Sequence, residues 1–280
     1  MLIKSKTDIK NLKKSGVLMG EILAELAAMC RPGVSSWEID RVAEAMIIKA
    51  GGRPAFKGYQ TTGAEYPFPS TICASFNEEL VHGIPRHDRV LKDGDIFSID
   101  VGMEWPAFAS TRVGATAGKA RSLKHGVITD TAITVAVGSI PDDVQKLLAV
   151  TKQALEEGIK VAQPGNSVAA IGKAIESYVK SQGKYGIVRD LVGHGVGHNV
   201  HEEPYIPNYY DKALESVKLQ PGMVIAIEPM ISLGGWKVAA MSDGWTIKTA
   251  DNSPCAHFEH TVIITEKGSI VATRRPDEKV

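Results

Sequence analysis

Neither sign of charge is in excess: 32 lysines and arginines balance 32 aspartates and glutamates. No overall field therefore draws the chain onto nucleic acid or an anionic membrane. Cysteine is scarce. The three residues Cys30, Cys73 and Cys255 lie far apart with no C-x-x-C pair, which argues against a disulfide framework and a structural zinc site. No apolar run approaches the roughly 20 residues that a membrane-spanning helix needs. The N-terminus, MLIKSKTD, interleaves charge where a secretory signal would be apolar. A cytoplasmic address is expected, with no membrane and no specific nucleic-acid partner. What the chain does have is core material: 44% of its 280 residues are hydrophobic and 23% charged, the balance of a soluble globular protein rather than a disordered one.

The sequence also repeats. Pro32, Gly33, Ser35, Ile39 and Gly51 recur at one constant offset as Pro164, Gly165, Ser167, Ile171 and Gly183, the mark of a duplication. Further on, GDIFSID (94–100) aligns with GMVIAIE (222–228), and Asp130 falls on Glu259. Residues 8–29 place Ile9, Leu12, Met19, Ile22, Leu26 and Met29 on one helical face. Arg31-Pro32-Gly33 stops that helix, and Ser35 with Glu38 forms a capping box for the next. Val144, Leu147, Thr151 and Leu155 predict a third helix, Gln163-Pro164-Gly165 breaks it, and Ser167 caps a fourth.

Successive side chains of a strand point to opposite faces. Phe97, Ile99 and Val101 therefore oppose Ser98 and Asp100. Ile225 and Ile227 oppose Ala226 and Glu228, Ile133 and Val135 oppose Asp130 and Thr134, and Val262 and Ile264 oppose Glu259 and Thr261. All four carboxylates share the less bulky face, which would floor a cavity between two related half-sheets. The expected fold is one pseudo-symmetric α+β domain over residues 1–280, with halves of about 1–140 and 141–280. Residues 103–126 show no clean period and carry Arg112, Lys119, Arg121 and Lys124 against Glu104. They read as a surface insertion.

Four converging carboxylates would repel one another and bury charge at several kcal/mol each unless cations neutralise them. Two divalent cations balance Asp100, Asp130, Glu228 and Glu259. Oxygen-rich ligation with one nitrogen suits Mn, Fe, Co or Zn. That nitrogen is expected from His194 in GHGVGHNVHEEP, where flanking glycines would let backbone approach a metal. His201 lies in the same segment, and His82 in VHGIP is a second source. His87, His125, His257 and His260 read as solvated or core histidines.

The segments NEELVHGIP, DIFSIDVG, GHGVGHNVHEEP, IAIEPM and FEHTVIIT together resemble the type I methionine aminopeptidases of the pita-bread fold. The resemblance spans nearly the whole chain. It implies two divalent metal ions held by Asp100, Asp130, His194, Glu228 and Glu259, with Asp130 and Glu259 bridging both. It further implies that Glu228 moves the proton, that His82 and His201 contact substrate, and that Phe68, Cys73 and Trp245 line a methionine pocket. The implied activity is removal of the initiator methionine from nascent chains, with N-terminal methionine peptides as substrates. The spacing from Asp100 to Asp130 is wider than the family's, so the insertion enters a hairpin beside a metal ligand. His198 departs from the family's usual residue and receives no role. The short N-terminus implies a bacterial-type enzyme. For the basic insertion a solvated loop is favoured over transient ribosome contact. A prolidase or aminopeptidase P relative, or a non-catalytic pita-bread binding protein, are the alternatives.

Overall fold

The structure, a computed structural model, describes residues 3–61, 64–107 and 126–278. Helix α1 (Lys6–Met29) opens on Ser5, whose hydroxyl accepts from the Asp8 amide while the Asp8 carboxylate accepts from the Ser5 amide. This reciprocal cap satisfies two otherwise orphaned N–H groups and starts the helix two residues before the hydrophobic pattern does. Helix α2 (Ser36–Lys49) carries the expected Ser35–Glu38 box. Strands β1 (Arg53–Pro54), β2 (Ile72–Phe76), β3 (Glu79–Val81), β4 (Ile96–Trp105) and β5 (Val127–Ala136) complete the first run of elements.

A second helix pair follows, α3 (Asp142–Val161) and α4 (Val168–Gln182). Ser167 stands at the N-cap of α4 as expected, but its hydroxyl makes no capping bond. Its backbone forms an isolated bridge to Lys218 that matches the one from Ser35 to Val90. The later strands are β6 (Gly186–Ile187), β7 (Gly193–Gly195), β8 (Glu202–Ile206), β9 (Val224–Ile227), β10 (Met230–Ser232), β11 (Val238–Ala240), β12 (Ile247–Thr249), β13 (Cys255–His257), β14 (His260–Thr265) and β15 (Gly268–Val271).

Every pairing among these strands is antiparallel. β4 is flanked by β1 and β2 on one edge and by β5 on the other, and a five-stranded sheet runs β15-β14-β9-β7-β8. The bulky faces bury as the alternation requires. Phe97, Ile99 and Val101 pack with Leu23, Leu26 and Ile39 of α1 and α2. Ile225, Ile227, Val262 and Ile264 pack with Leu147, Leu155, Ile171 and Ile175 of α3 and α4.

The small-residue faces meet and are stitched by hydroxyls. Thr261 Oγ1 accepts from the Asp130 amide at 2.9 Å and donates to the Asp130 carbonyl at 2.8 Å. Thr131 Oγ1 donates to the Glu259 carbonyl, and the Glu259 amide donates to the Ala132 carbonyl. A buried polar seam of this kind is tolerated because each group finds a partner, and it fixes the register of β5 against β14.

The first residues expected in the insertion belong to the sheet. Met103, Glu104 and Trp105 continue β4, with Trp105 opposite Val127 at the end of the hairpin. Buried Glu104 ion-pairs with Arg53 on β1. Pairing with β5 decides these residues where local periodicity is mute. Residues 108–125, including Lys119, Arg121, Lys124 and His125, lie outside the described residues. Among those described, no helix is long and apolar enough to cross a membrane.

Candidate metal centre

One cavity of about 220 Å³ lies between the half-sheets, and all ten residues singled out from the sequence line it. Asp100 comes from β4 and Asp130 from β5, with Gly102 opposite Asp130 in the hairpin register. Glu228 follows β9 directly, and Glu259 immediately precedes β14. These four are therefore delivered by two hairpin-like pairs in corresponding positions. Ligand atoms of Asp130, His194 and Glu259 lie within 4.8 Å of one another. Glu228 Oε1 is 3.4 Å from His194 Nε2.

The acidic cluster is unsatisfied by the protein alone. Asp100 Oδ1, Asp130 Oδ1 and Glu259 Oε1 are buried without a hydrogen-bond partner. Burial pushes the Asp130 carboxyl up to about 7. It raises Asp100 well above the carboxylate range, reinforced by the Asp130 and Glu228 charges. Glu228 and Glu259 are raised for the same two reasons, burial first and the neighbouring acid second. Such a set is stable only if protonated or met by cations. The donor set, carboxylate oxygens with one imidazole nitrogen, suits divalent metal ions.

His194 is prepared as a ligand. Its Nδ1 lies 2.9 Å from the Gly195 carbonyl, an acceptor only, so the proton resides on Nδ1 and the Nε2 lone pair faces the acids. Burial, with His201 beside it, drives its pKa down to about 3 and keeps it neutral. The glycines around it have a packing role. A Cβ on Gly193 would lie 2.4 Å from the Ala226 carbonyl oxygen, and one on Gly195 would lie 2.2 Å from that of Glu203. They let β7 fit between β8 and β9.

The rest of the cavity is a recognition wall. Cys73 on β2 faces Asp100 in register. Phe68 and Trp245 meet edge to face with centroids 5.2 Å apart, and the indole N–H donates to the Tyr66 carbonyl at 3.1 Å. His82 sits in the left-handed region at φ 59, a strained conformation for a non-glycine residue. The next residue, Gly83, lies close on β2, where a Cβ would lie 2.3 Å from the Ala74 carbonyl oxygen. Burial, with His201 next, lowers the His82 pKa to about 4. His201 packs on His194 with centroids 4.5 Å apart. His198 turns outward to Asp8, with Nε2 3.2 Å from Oδ2.

Two residues escaped the sequence reading. Tyr59 OH is 2.7 Å from His201 Nδ1. It lies in an irregular stretch where no period marks it. His257 belongs with the site rather than among the core histidines: its Nε2 is 3.5 Å from Glu228 Oε2. Of the other histidines, His87 stacks on Trp37 and His260 meets Thr273 and Glu278, as structural roles require.

A buried acid cluster of this kind in a duplicated antiparallel scaffold defines a metallopeptidase of the pita-bread class, and comparison with known proteins agrees. The model of metallopeptidase family M24 matches residues 10–266. The chain is 44% identical to the methionine aminopeptidase of Borreliella burgdorferi over 94% of either protein. It is 41% identical to methionine aminopeptidase 1 of Bacillus subtilis over 98% of this chain and 99% of that one. The crystal structure of methionine aminopeptidase from Thermotoga maritima superposes with a TM-score of 0.86 at 37% identity, covering 98% of this chain and all of that one. Prolidase from Pyrococcus horikoshii shares the fold, with a TM-score of 0.70 at 21% identity over 65% of its length. The chain belongs to metallopeptidase family M24, among the methionine aminopeptidases.

Proposed function

We propose that this protein removes the N-terminal methionine from newly made chains in the cytoplasm, using two divalent metal ions (Mn, Fe, Co or Zn) held by Asp100, Asp130, His194, Glu228 and Glu259. The observation that carries the proposal is a set of buried, partnerless carboxylate oxygens beside an apolar and aromatic wall, in one cavity of about 220 Å³. When bound, the ions would supply Lewis acidity and an activated water.

The chain's own residues do the rest. Phe68, Cys73 and Trp245 offer soft and aromatic surface to an unbranched thioether side chain. Glu228 takes the proton of the attacking water and returns it to the departing amine, the two halves of general base and acid work. His201 is a donor toward the substrate. Tyr59 OH lies 2.7 Å from its Nδ1, and burial raises the Tyr59 pKa, so the hydroxyl keeps its proton; in this reading that proton is donated to Nδ1 and the His201 proton stays on Nε2. His82, held neutral by burial, offers a second imidazole to the oxygen that gains charge as the carbonyl is attacked.

Methionine release from a Met-Gly peptide, set against an Ala-Pro peptide, tests the reading with metal-loaded protein. Cleavage of the first alone is expected. Preference for the Xaa-Pro bond would move the protein to the prolidase branch, and cleavage of neither would favour a binding role.

A further inference from the structure

His257 combines three observations. Its side chain is 1% exposed, neither ring nitrogen has a hydrogen-bond partner among the described residues, and Nε2 points at Glu228 Oε2 from 3.5 Å. Buried imidazoles that serve only packing find partners. The backbone of His257 is pinned for the purpose: its amide donates to Thr134 Oγ1 at 2.8 Å, and that hydroxyl donates to its carbonyl at 2.9 Å. Met230 lies opposite it on β10, so the ring sits beside the turn that carries Glu228 from β9.

The two imidazoles that flank Glu228 are not equivalent. His194 carries its proton on Nδ1, because that atom faces the Gly195 carbonyl, and so presents a lone pair beside Oε1. With Glu228 ionised, as a cation beside it requires, a lone pair on His257 Nε2 would repel Oε2, and nothing among the described residues accepts a proton from its Nδ1. The tautomer that satisfies this geometry is Nε2–H. Glu228 is then held asymmetrically, with Oε1 on the lone-pair side and Oε2 on the donor side.

We propose that His257 is a positioning residue for Glu228, donating from Nε2 to Oε2 and so turning Oε1 toward the cation that His194 would share. This rests on the proposed role of Glu228 as a metal ligand. The separation must close by a few tenths of an ångström to reach hydrogen-bond length, a shift within the reach of a carboxylate at the end of a strand.

The test is titration of metal-free protein with Mn(II) by calorimetry, alongside kcat and KM for a Met-Gly peptide. His257→Leu should weaken Mn(II) binding about 10- to 100-fold, the range for loss of a residue that orients a ligand. It should lower kcat with KM little changed. His257→Gln keeps an N–H donor and should recover most of both. Wild-type Mn(II) affinity in His257→Leu, or a Gln variant as weak as Leu, would overturn the inference. Where His257→Leu does not fold, His257→Phe keeps the ring volume and carries the same expectation. Glu228→Gln separates the levels: if it weakens Mn(II) binding and His257→Leu does not, only the positioning role fails. If Glu228→Gln also binds normally, the assignment of Glu228 as a ligand fails first.

Discussion

Tyr59→Phe removes one oxygen and nothing else from the wall of the cavity. The lost contact is the 2.7 Å bond from the hydroxyl to His201 Nδ1. The edge-to-face packing of the two rings, with centroids 5.3 Å apart, survives. Without the hydroxyl, the His201 proton is free to move to Nδ1, and the Nε2 donor toward the substrate is lost for part of the time. A net hydrogen bond of this type contributes about 0.5–1.5 kcal/mol, and each 1.36 kcal/mol of barrier is tenfold in rate. A fall in kcat of about 2- to 12-fold follows, with KM nearly unchanged, because the donor acts on charge that develops during attack. Steady-state release of methionine from a Met-Gly-Ser peptide measures it. The thermal unfolding midpoint of the same variant should fall by only a few degrees, about what loss of one such bond costs a domain of this size. Unaltered kcat would refute the tautomer argument. A loss as deep as that of His201→Ala would show that the hydroxyl touches substrate itself.

Further predictions come from the same geometry. Binding of Mn(II) to metal-free protein near pH 6.5 should release protons, because Asp130 is raised to about 7 and Asp100, Glu228 and Glu259 higher still; calorimetry in buffers of different ionisation enthalpy reads this, and identical heats in all buffers would contradict it. A Cβ at Gly195 would lie 2.2 Å from the Glu203 carbonyl oxygen, so Gly195→Ala should destabilise the fold by about 1–3 kcal/mol, visible as a lowered urea midpoint. Stability should also decline in acid through the buried cluster of Arg275, His260 and Glu278. Burial leads the lowering of His260 to about 4, so the unfolded chain takes up its proton first as pH drops below the ordinary 6.5. Burial alone would raise Glu278, but the His260 hydrogen bond and the charges of His260 and Arg275 outweigh it and hold the group far below 4.5. Its contribution is complete above 4.5 and lost as pH falls further; Glu278→Gln should flatten that acid limb, and an unchanged slope would contradict the linkage.

The helices and the cavity floor were legible because their signals are periodic. Phe97, Ile99 and Val101 alternate strictly with Ser98 and Asp100, and that bulky face packs on the helices while Ser98 is buried on the other face against Thr134. The duplicated Pro-Gly breaks located both helix pairs, and the small-residue face placed all four acids on one floor. Elsewhere the deciding contacts are long-range. Met103–Trp105 are strand only because β5 lies beside them. Ser167 stands at the N-cap as its sequence suggests, but its hydroxyl makes no capping bond. The glycines beside His194 answer to neighbouring strands, which a local reading cannot see. Tyr59 sits in a segment without period, and His257 differs from an ordinary core histidine only in what faces its ring.

Anomalous diffraction from crystals of the Mn(II)-loaded protein shows whether Asp100, Asp130, His194, Glu228 and Glu259 together hold a pair of cations. Two anomalous peaks are expected inside the cavity, both in contact with Asp130 and Glu259, one also reaching Asp100 and the other His194 and Glu228. A fully loaded crystal with no peak between these residues, or with Asp100 or Glu228 turned away from both ions, would contradict it.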